Sequence, residues 1–358
     1  MPYTIGKREC SKTSLKEVSR ADVLGETMKT KTRPKGQLVV QTLPEARWDG
    51  ALTNSARSTF LNCRKKFEWQ YMRRLSPRAP SIPFLVGGLV HNGLERLYKT
   101  GVFRPQAEGQ IVAKACEEAC LDSSLDPKQS DRVWEQQAMV MGILRGYAKL
   151  YLAKDLKAWE VLEAEASFSY QIPNGWTAQG KRDMVVRRRA DGKMGLVEHK
   201  TAGRVDANYV SKLPLDNQII GYANSLKKKH GRLPGFVVYN IMKKSQLRKG
   251  QKETFEQFQK RIEEDYTLNP SAYFYRETLT ISEKDATRFE QELFRFAKEM
   301  ERAIEEGFFY KNTGQCTAMG VCPYMPLCIE GPNRANLSRF RERAELHEEL
   351  TEIPAQGE

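Results

Sequence analysis

Two short runs in the middle of the chain contain side chains that can bind a metal ion. Asp183 lies in Gly-Lys-Arg-Asp, and Glu198 and Lys200 lie two residues apart in Leu-Val-Glu-His-Lys. Both runs have strand character, and Asp191-Gly192 between them is a strong hairpin turn signal. On neighbouring antiparallel strands Asp183 and Glu198 can converge. Glu198 and Lys200 face the same side because the side chains of a strand alternate.

These groups suit one kind of chemistry. Carboxylate oxygens favour Mg²⁺ or Mn²⁺, and such an ion can bind a phosphate oxygen while lowering the pKa of an attacking water. Lys200 would orient that water or stabilise the charge that develops on phosphorus. The simpler interpretation is a surface strand with an ordinary alternation of glutamate and lysine. The Glu-x-Lys pattern by itself favours that simpler interpretation.

Two further segments favour a functional site. His91 follows Gly87 at a spacing of four on a predicted helix, and Gln218 and Tyr222 lie one turn apart on the helix expected after the hairpin. A single histidine is more often a packed core residue, and an isolated Gln-x3-Tyr pair indicates no function. The order and spacing of these residues around the hairpin carry the argument.

Hydrophobic periodicity places these residues on an α/β framework. Helical spacing recurs through the first part of the chain, strand-like alternation follows, and helices and strands then alternate. The predicted helices span 55–75, 83–98, 106–120, 132–156, 215–229 and 283–306. The predicted strands span 161–170, 176–188, 194–200, 235–242 and 272–281. This order predicts an α/β sheet with helical cover.

The charge of the chain favours a polyanionic partner. Its 358 residues, 40% of them hydrophobic, are enough for a folded core, and the formal net charge is +13. Basic clusters such as Lys227-Lys228-Lys229 would release condensed counterions on binding nucleic acid, although each cluster alone is more simply a solvated surface. No apolar run is long enough to span a membrane, and residues 1–35 lack a signal-peptide core, so we expect a cytoplasmic protein.

The cysteines indicate a second metal centre. Seven cysteines in a reducing compartment favour metal ligation or free thiols over disulfides. Cys316, Cys322 and Cys328 lie close together near the C-terminus, and with Cys63 they supply four thiolates, the number that holds a [4Fe-4S] cluster. Zinc also takes four ligands, but usually in pairs at x2 to x4 spacing, which this run lacks. We expect an iron-sulfur cluster that joins the first helix to the C-terminus, with zinc as the alternative.

The series of motifs resembles the RecB-like branch of the PD-(D/E)XK nuclease superfamily, including iron-sulfur members such as the AddB nuclease domain and phage-encoded exonucleases. The resemblance covers roughly residues 48–330. The matching motifs are Ser55-x2-Ser58-x4-Cys63, Gly87-x3-His91, Gly180-x2-Asp183, Glu198-x-Lys200, Gln218-x3-Tyr222 and the closing cysteines. The better-known iron-sulfur members have Cys-x2-Cys-x5-Cys at this end, so the first gap here departs from their pattern.

The resemblance implies an α/β, restriction-endonuclease-like core: a mixed central β-sheet flanked by helices, with an N-terminal helical region and a C-terminal cysteine cluster. The implied metal ligands are one imidazole, two carboxylates and one main-chain carbonyl: His91, Asp183, Glu198 and His199. Lys200 takes the catalytic position, and Gln218 and Tyr222 match a motif that positions the nucleic-acid strand and the lysine. Glu165 is a candidate for outer support of the site, and an exposed strand carboxylate is an equal alternative for it.

Three segments and one function are expected from these observations. The segments are a flexible basic N-terminal tail over 1–44, a nuclease domain over 45–335 and a charged C-terminal tail over 336–358. The expected function is a Mg²⁺- or Mn²⁺-dependent deoxyribonuclease, by family analogy an exonuclease on single-stranded or duplex DNA ends, in recombination, repair or phage DNA processing. Because no ATPase or helicase motif is present, the nuclease would act alone or together with a helicase or recombination protein as its partner. The alternative is a non-catalytic DNA-binding or assembly factor with the same fold.

Overall fold

A mixed six-stranded β-sheet lies at the centre of the protein, with helices against both faces. The computed structural model describes residues 40–78, 82–121, 127–318, 320–347 and 350. The strands are β1 (Ala51–Thr53), β2 (Leu75–Pro77), β3 (Trp159–Gln171), β4 (Thr177–Arg188), β5 (Met194–Ala202), β6 (Phe236–Lys243), β7 (Phe274–Leu279) and β8 (Phe340–Glu342). The helices are α1 (Asn54–Asn62), α2 (Arg64–Phe67), α3 (Ile82–Thr100), α4 (Pro105–Leu121), α5 (Pro127–Tyr147), α6 (Ala153–Ala158), α7 (Ala207–Ser211), α8 (Asn217–His230), α9 (Phe255–Leu268), α10 (Pro270–Tyr273), α11 (Glu283–Glu305), α12 (Met325–Ile329) and α13 (Arg334–Leu337).

The sheet combines parallel and antiparallel neighbours. Its order is β1-β4-β5-β6-β7, and β3 also pairs with β4. The β3–β4, β4–β5 and β6–β7 pairs are antiparallel, whereas β1–β4 and β5–β6 are parallel. The parallel β5–β6 pair is connected through α8, as a parallel pair requires a crossover. The predicted α/β fold, with a mixed central sheet flanked by helices, is confirmed.

The β4 strand has a gap along one of its edges. β3 pairs with one edge of β4 over nearly its whole length, so β1 and β5 share the opposite edge, where the gap lies. β1 pairs with β4 as far as Gln179, and β5 pairs with β4 only from Met184 onward. Within the described part of the chain, residues 180–183 therefore have no strand partner on this edge. Asp183 lies at the end of the gap.

Gly180 lies in this gap, where a side chain would not fit. A Cβ atom at this position would lie 2.7 Å from ring atoms of Phe168 on β3 and 3.2 Å from Cε1 of Tyr222 on α8. Both rings would have to move to accept even a methyl group. The missing side chain lets β3 and α8 close together over the gap.

Alternate residues of the central strands point into two separate cores. Val185 and Leu196 belong to the core that α1, α8 and α11 complete. Met184 and Val197, their neighbours in the chain, belong to the core that α3, α5 and α9 complete. Burial on both faces is typical of central strands in an α/β protein, and it fixes which face of each strand a polar residue occupies.

The helix predicted over 55–75 is interrupted at Cys63, continues as α2 and a π-helical turn, and ends at Met72. α1 ends at Asn62, and Cys63 is extended, with φ of −162° and ψ of 110°. A π-helical turn then ends at Met72, and Leu75–Pro77 is the strand β2, which pairs with β8. The Cys63 sulfur accepts a hydrogen bond from the backbone nitrogen of Asn312 at 3.4 Å, a contact with a distant segment that local periodicity does not encode.

Helix α9 lies in a region for which no element was predicted. Its start is marked by a capping box, in which Thr254 and Gln257 satisfy each other's backbone nitrogens. Phe258, Ile262 and Tyr266 recur every four residues and are buried against α5. Both signals are present in the sequence, so this element was predictable.

A third, smaller cluster joins distant parts of the chain. Trp69, Leu75, Tyr324 and Phe340 pack together, and the backbone nitrogen of Val40 donates to the Phe340 carbonyl at 3.3 Å. Residues 336–347, assigned above to the C-terminal tail, thus include the end of α13 and all of β8. Residues 1–39 of the N-terminal tail predicted over 1–44 lie outside the described part of the chain, as do residues 351–358. None of the described helices has the length and apolar character to cross a membrane.

Candidate metal centre

Glu165 lies opposite Asp183 in a distorted part of β3. The antiparallel register pairs Ala164 with Met184, and the next position in that register places Glu165 against Asp183. Glu165 has φ of +49°, a left-handed backbone conformation that is uncommon for a residue with a side chain. Strained backbone of this kind clusters at functional sites, so the conformation favours a functional role for Glu165.

Three side chains from α3, β3 and β4 meet at this point. His91 Nδ1 is 3.3 Å from Glu165 Oε1 and 3.4 Å from Asp183 Oδ1. One ligand atom from each of His91, Glu165 and Asp183 lies within 4.8 Å of the other two, and among the residues that the structure describes this is the one such group. The arrangement offers two oxygens and one nitrogen to a single cation.

The electrostatics of this group favour a positive charge at its centre. Burial disfavours the charged form of His91, but Asp183 and Glu165 outweigh it and raise the pKa of the imidazole to about 10. Burial also opposes ionisation of Asp183, yet His91, His199 and Lys200 hold its pKa well below the usual range. Without a metal ion, a protonated imidazole thus lies against two carboxylates.

Glu198 lies beside this group and is fully buried, with 0% of its surface exposed. Its Oε1 is 2.6 Å from Lys200 Nζ, while Oε2 has no hydrogen-bond partner among the described residues. Burial raises the pKa of Glu198, and the neighbouring Asp183 raises it further. Burial opposes the charge on Lys200, but Glu198 and Asp183 outweigh it and raise the lysine pKa. A buried carboxylate oxygen without a donor is costly, and a cation would satisfy it.

A chain of hydrogen bonds fixes the lysine. Lys200 Nζ donates to Gln218 Oε1 at 2.7 Å, and Gln218 Nε2 donates to the hydroxyl oxygen of Tyr222 at 2.7 Å. Gln218 lies in the first turn of α8, whose N-cap Asp216 accepts from the Gln218 backbone nitrogen at 2.8 Å and from the Tyr239 hydroxyl at 2.9 Å. The Gln-x3-Tyr spacing therefore places both side chains on the helix face that meets the lysine.

The structure brings the predicted residues to one place but groups them differently from the predicted ligand set. Glu165, proposed only for outer support, forms the compact group with His91 and Asp183, whereas Glu198 pairs with Lys200. The backbone nitrogen of His199 donates to Asp183 Oδ2 at 2.7 Å, so the main chain of β5 meets the site. The ring of His199 lies on the other face of the sheet, where it packs against Tyr98 and Tyr147 and lies 6.4 Å from the His91 ring.

Two residues of the site were not predicted from the sequence. Lys181 Nζ lies 2.7 Å from Glu165 Oε2, on the side away from His91. Lys181 precedes Asp183 by two residues, so strand alternation already placed both side chains on one face. Asp216 was visible as an N-cap candidate directly before the apolar run of α8.

Three of the four candidate cysteines, Cys316, Cys322 and Cys328, lie near one another, and Cys63 follows α1 directly. The Cys328 sulfur accepts a hydrogen bond from Trp69 Nε1 at 3.4 Å, and the Cys322 backbone nitrogen donates to the Cys316 carbonyl at 2.8 Å. Burial raises the pKa of Cys322, as do the nearby thiols of Cys316 and Cys328. Among the described residues, no three of these sulfurs lie within 4.8 Å of one another. All four thiols are free.

The predicted basic cluster Lys227-Lys228-Lys229 is paired with acidic residues. Lys227 lies 2.6 Å from Glu283, and Lys228 lies 2.8 Å from Glu290. Lys229 forms an ion pair with Glu163. This cluster covers the surface of α8 with charge pairs of small energetic value, as its simpler interpretation expected.

Comparisons with known proteins identify the family. No curated protein matches the chain. One of the solved structures that resemble it is the crystal structure of SSO0001, with 13% sequence identity, a TM-score of 0.31 and coverage of 81% of this chain and 90% of that one. A profile of the PD-(D/E)XK nuclease superfamily matches residues 51–329, which span β1 to α12 and include the whole metal centre. The chain belongs to the PD-(D/E)XK nuclease superfamily.

Proposed function

We propose that this chain is a Mg²⁺- or Mn²⁺-dependent deoxyribonuclease of the RecB-like type that degrades DNA from its ends. Members of its superfamily are generally metal-dependent nucleases. The observation that carries the proposal is the position of Lys200, held by Gln218 beside the buried Glu198 and next to the group of His91, Glu165 and Asp183. Preference for DNA and for strand ends, and a role in recombination, repair or phage DNA processing, rest on the motif resemblance.

The donor set fits a hard divalent cation. Carboxylate oxygens dominate it, with one imidazole, which suits Mg²⁺ and Mn²⁺. His91, Glu165 and Asp183 would hold the ion. Beside them lies Glu198 Oε2, a buried oxygen that accepts no hydrogen bond from any described residue. When bound, the cation supplies a Lewis acid that polarises the phosphodiester and makes water a stronger nucleophile near neutral pH.

The residues of the chain perform the other steps. Asp183 is kept ionised and is oriented by the His199 backbone nitrogen, so it keeps a fixed position during turnover. Lys200 remains charged because Glu198 raises its pKa, and its ammonium group can stabilise the negative charge that develops on the phosphoryl oxygens. Gln218 restricts the lysine to one direction, which reduces the reorganisation needed in the transition state.

Cleavage of end-labelled single-stranded and duplex DNA tests this function. Anaerobically purified protein should degrade DNA with Mg²⁺ or Mn²⁺, and Asp183→Ala should be inactive because it removes one oxygen from the metal group. Asp191→Ala is a matched control, since this carboxylate lies on the β4–β5 turn and pairs with Arg188. Binding of DNA without cleavage under any metal would instead indicate a non-catalytic binding factor. An internal cut in circular DNA would contradict the dependence on ends.

We further propose that Cys63, Cys316, Cys322 and Cys328 hold a [4Fe-4S] cluster. The motif resemblance supports this proposal, and the N–H groups of Trp69 and Asn312 donate to the sulfurs of Cys328 and Cys63. Hydrogen bonds to the sulfurs are a usual feature of iron-sulfur sites. The cluster would join α1 to the C-terminal segment and stabilise the fold in a compartment where a disulfide would be reduced.

Metal analysis of the anaerobic protein tests the cluster. Iron and acid-labile sulfide in equal amounts, with a brown colour that Cys322→Ala removes, would support it. Cys116→Ala is the matched control because this thiol is buried in a helical core away from the four cysteines. A colourless protein with one bound zinc would establish the zinc alternative.

A further inference from the structure

A small cleft lies beside the side chains that hold the catalytic lysine. It has a cavity volume of about 40 Å³ and lies between β1, β3 and β4 and the helices α1, α8 and α11. Gln218 and Tyr222, which hold Lys200, form part of its wall. The cleft therefore borders the residues that position the lysine.

Arg57 of α1 lines this cleft and is 8% exposed. Its guanidinium lies over the rings of Phe289 and Phe296, at 5.6 and 5.5 Å from their centroids. It makes no hydrogen bond and no ion pair with any residue that the structure describes, and its buried Nε has no partner there. The nearby Glu292 raises the pKa of Arg57, although burial outweighs it, and the two side chains form no ion pair.

Arg182 shows how this fold treats a buried arginine when the charge is structural. Arg182 is 2% exposed, and its guanidinium donates to Glu163 at 2.6 Å and to Ser225 at 3.0 Å. Arg57 is nearly as buried and lacks such partners. A buried cation without an anion is costly, so the fold either bears that cost or a ligand removes it.

The other groups around Arg57 also suit an anion. The cleft wall includes the amide side chains of Asn54, Gln179 and Asn217, which can donate hydrogen bonds. Asn54 and Asn217 are the first residues of α1 and α8, so two helix N-termini with their positive partial charge border the same cleft. An unpaired guanidinium, amide donors and two helix ends together point to a phosphate.

We propose that Arg57 binds a phosphate of the nucleic-acid strand next to the scissile one, in a subsite that sets how the strand enters the active site. This inference rests on the proposed function for the identity of the ligand. The occupant is a nucleic-acid phosphate because Gln218 and Tyr222 line the cleft and hold Lys200, beside which a phosphodiester must lie for cleavage. The phosphate belongs either to a strand terminus or to the internal backbone, and both have the same chemistry.

The salt dependence of DNA binding without metal tests the subsite. Fluorescent single-stranded oligonucleotides are titrated in EDTA, where no cleavage occurs, with wild type, Arg57→Met and Arg187→Met. Methionine keeps an apolar stem against the phenylalanine rings, and Arg187 is an exposed arginine on β4 whose loss removes the same charge. Loss of one phosphate contact lowers the slope of log K against log salt by about 0.7 for single strands. We expect this change, and binding weaker by about tenfold or more, in Arg57→Met only.

Substrates with and without a 5′- or 3′-phosphate separate the two sources. Weakening confined to one phosphorylated terminus identifies a terminal phosphate, whereas equal weakening of all oligonucleotides identifies an internal one. Wild-type affinity and slope in Arg57→Met would overturn the subsite, as would an absence of salt-dependent binding by wild type. If Arg57→Met does not fold, as judged by its melting curve, Arg57→Gln replaces it.

The same proteins separate this inference from the proposed nuclease function. Cleavage by wild type in Mg²⁺ or Mn²⁺, with unchanged binding by Arg57→Met, refutes the subsite and leaves the nuclease intact. Salt-dependent binding that requires Arg57, without cleavage under either metal, refutes the nuclease and leaves a phosphate subsite in a binding protein.

Discussion

The two faces of β5 carry polar residues in opposite situations. On one face, Glu198 is fully buried with one oxygen lacking a donor among the described residues, and Lys200 lies between Glu198 and Gln218. On the other face, His199 packs against Tyr98 and Tyr147, and burial lowers its pKa to about 4. The first face leaves polar groups available for ligands, whereas the second uses its polar groups for support.

On the face of β5 that carries His199, the polar side chains belong to a buried hydrogen-bond network. Asn240 Nδ2 lies 3.3 Å from His199 Nδ1 and donates to the Tyr147 hydroxyl at 3.0 Å. Asn240 Oδ1 accepts from Arg276 Nε at 2.6 Å, and Arg276 makes a two-point ion pair with the buried Asp155 at 2.7 and 2.8 Å. Satisfied buried networks rigidify a core, while unsatisfied ones mark sites that expect a ligand. Substitutions on the two faces should therefore affect different properties.

The largest effect is expected for Lys200→Ala, on the face of β5 that carries Glu198. Removing the ammonium group should reduce the cleavage rate by about 10²–10⁴-fold, because it would contribute only to the transition state. Folding and DNA binding should be retained, which circular dichroism and a binding titration in EDTA would check. Lys193→Ala, on the β4–β5 turn, is the control and should cleave at the wild-type rate. Wild-type activity of Lys200→Ala would remove the assigned site.

The face of β5 that carries His199 should instead control stability. Arg276→Met leaves Asp155 buried without its cationic partner, which should reduce the free energy of unfolding by about 3–5 kcal/mol. Urea unfolding measures this change, and Arg187→Met, which removes the exposed pair with Glu160, should cost less than about 1 kcal/mol. A stable but inactive Arg276→Met protein would contradict the division between the two faces.

A smaller effect separates the grouping of side chains in the structure from the ligand set expected from the sequence. Glu165→Gln should weaken Mg²⁺ binding by about 10–100-fold or more, since loss of an outer supporting group alone costs this much. Isothermal titration calorimetry measures this affinity, with Glu160→Gln on the same strand as control. Unchanged affinity would assign the metal to His91, Asp183 and Glu198 without Glu165.

The last effect concerns pH. Because the pKa of His91 is raised to about 10 in the metal-free protein, the imidazole carries a proton at neutral pH that a metal ion must displace. The affinity for Mg²⁺ should therefore rise with pH between 6.5 and 9, by up to about tenfold per unit for one proton released. His91→Gln should show a smaller slope. Affinity that falls as pH rises would contradict the imidazole as a ligand.

The sequence by itself determined the local parts of the site. Strand alternation placed Glu198 and Lys200 on one face of β5, the turn at Asp191-Gly192 joined β4 to β5, and helical spacing placed Gln218 and Tyr222 together. Each of these relations depends on the geometry of a single element or hairpin, which the pattern of residue types reveals directly.

The tertiary structure decided which elements meet. The left-handed backbone of Glu165, the gap between β1 and β5 along β4, and the unpaired Arg57 in its cleft have no local signal. The ion pairs of the basic clusters also join residues far apart in the chain. Periodicity states which side of an element is buried but not against what, because that choice depends on packing between distant segments.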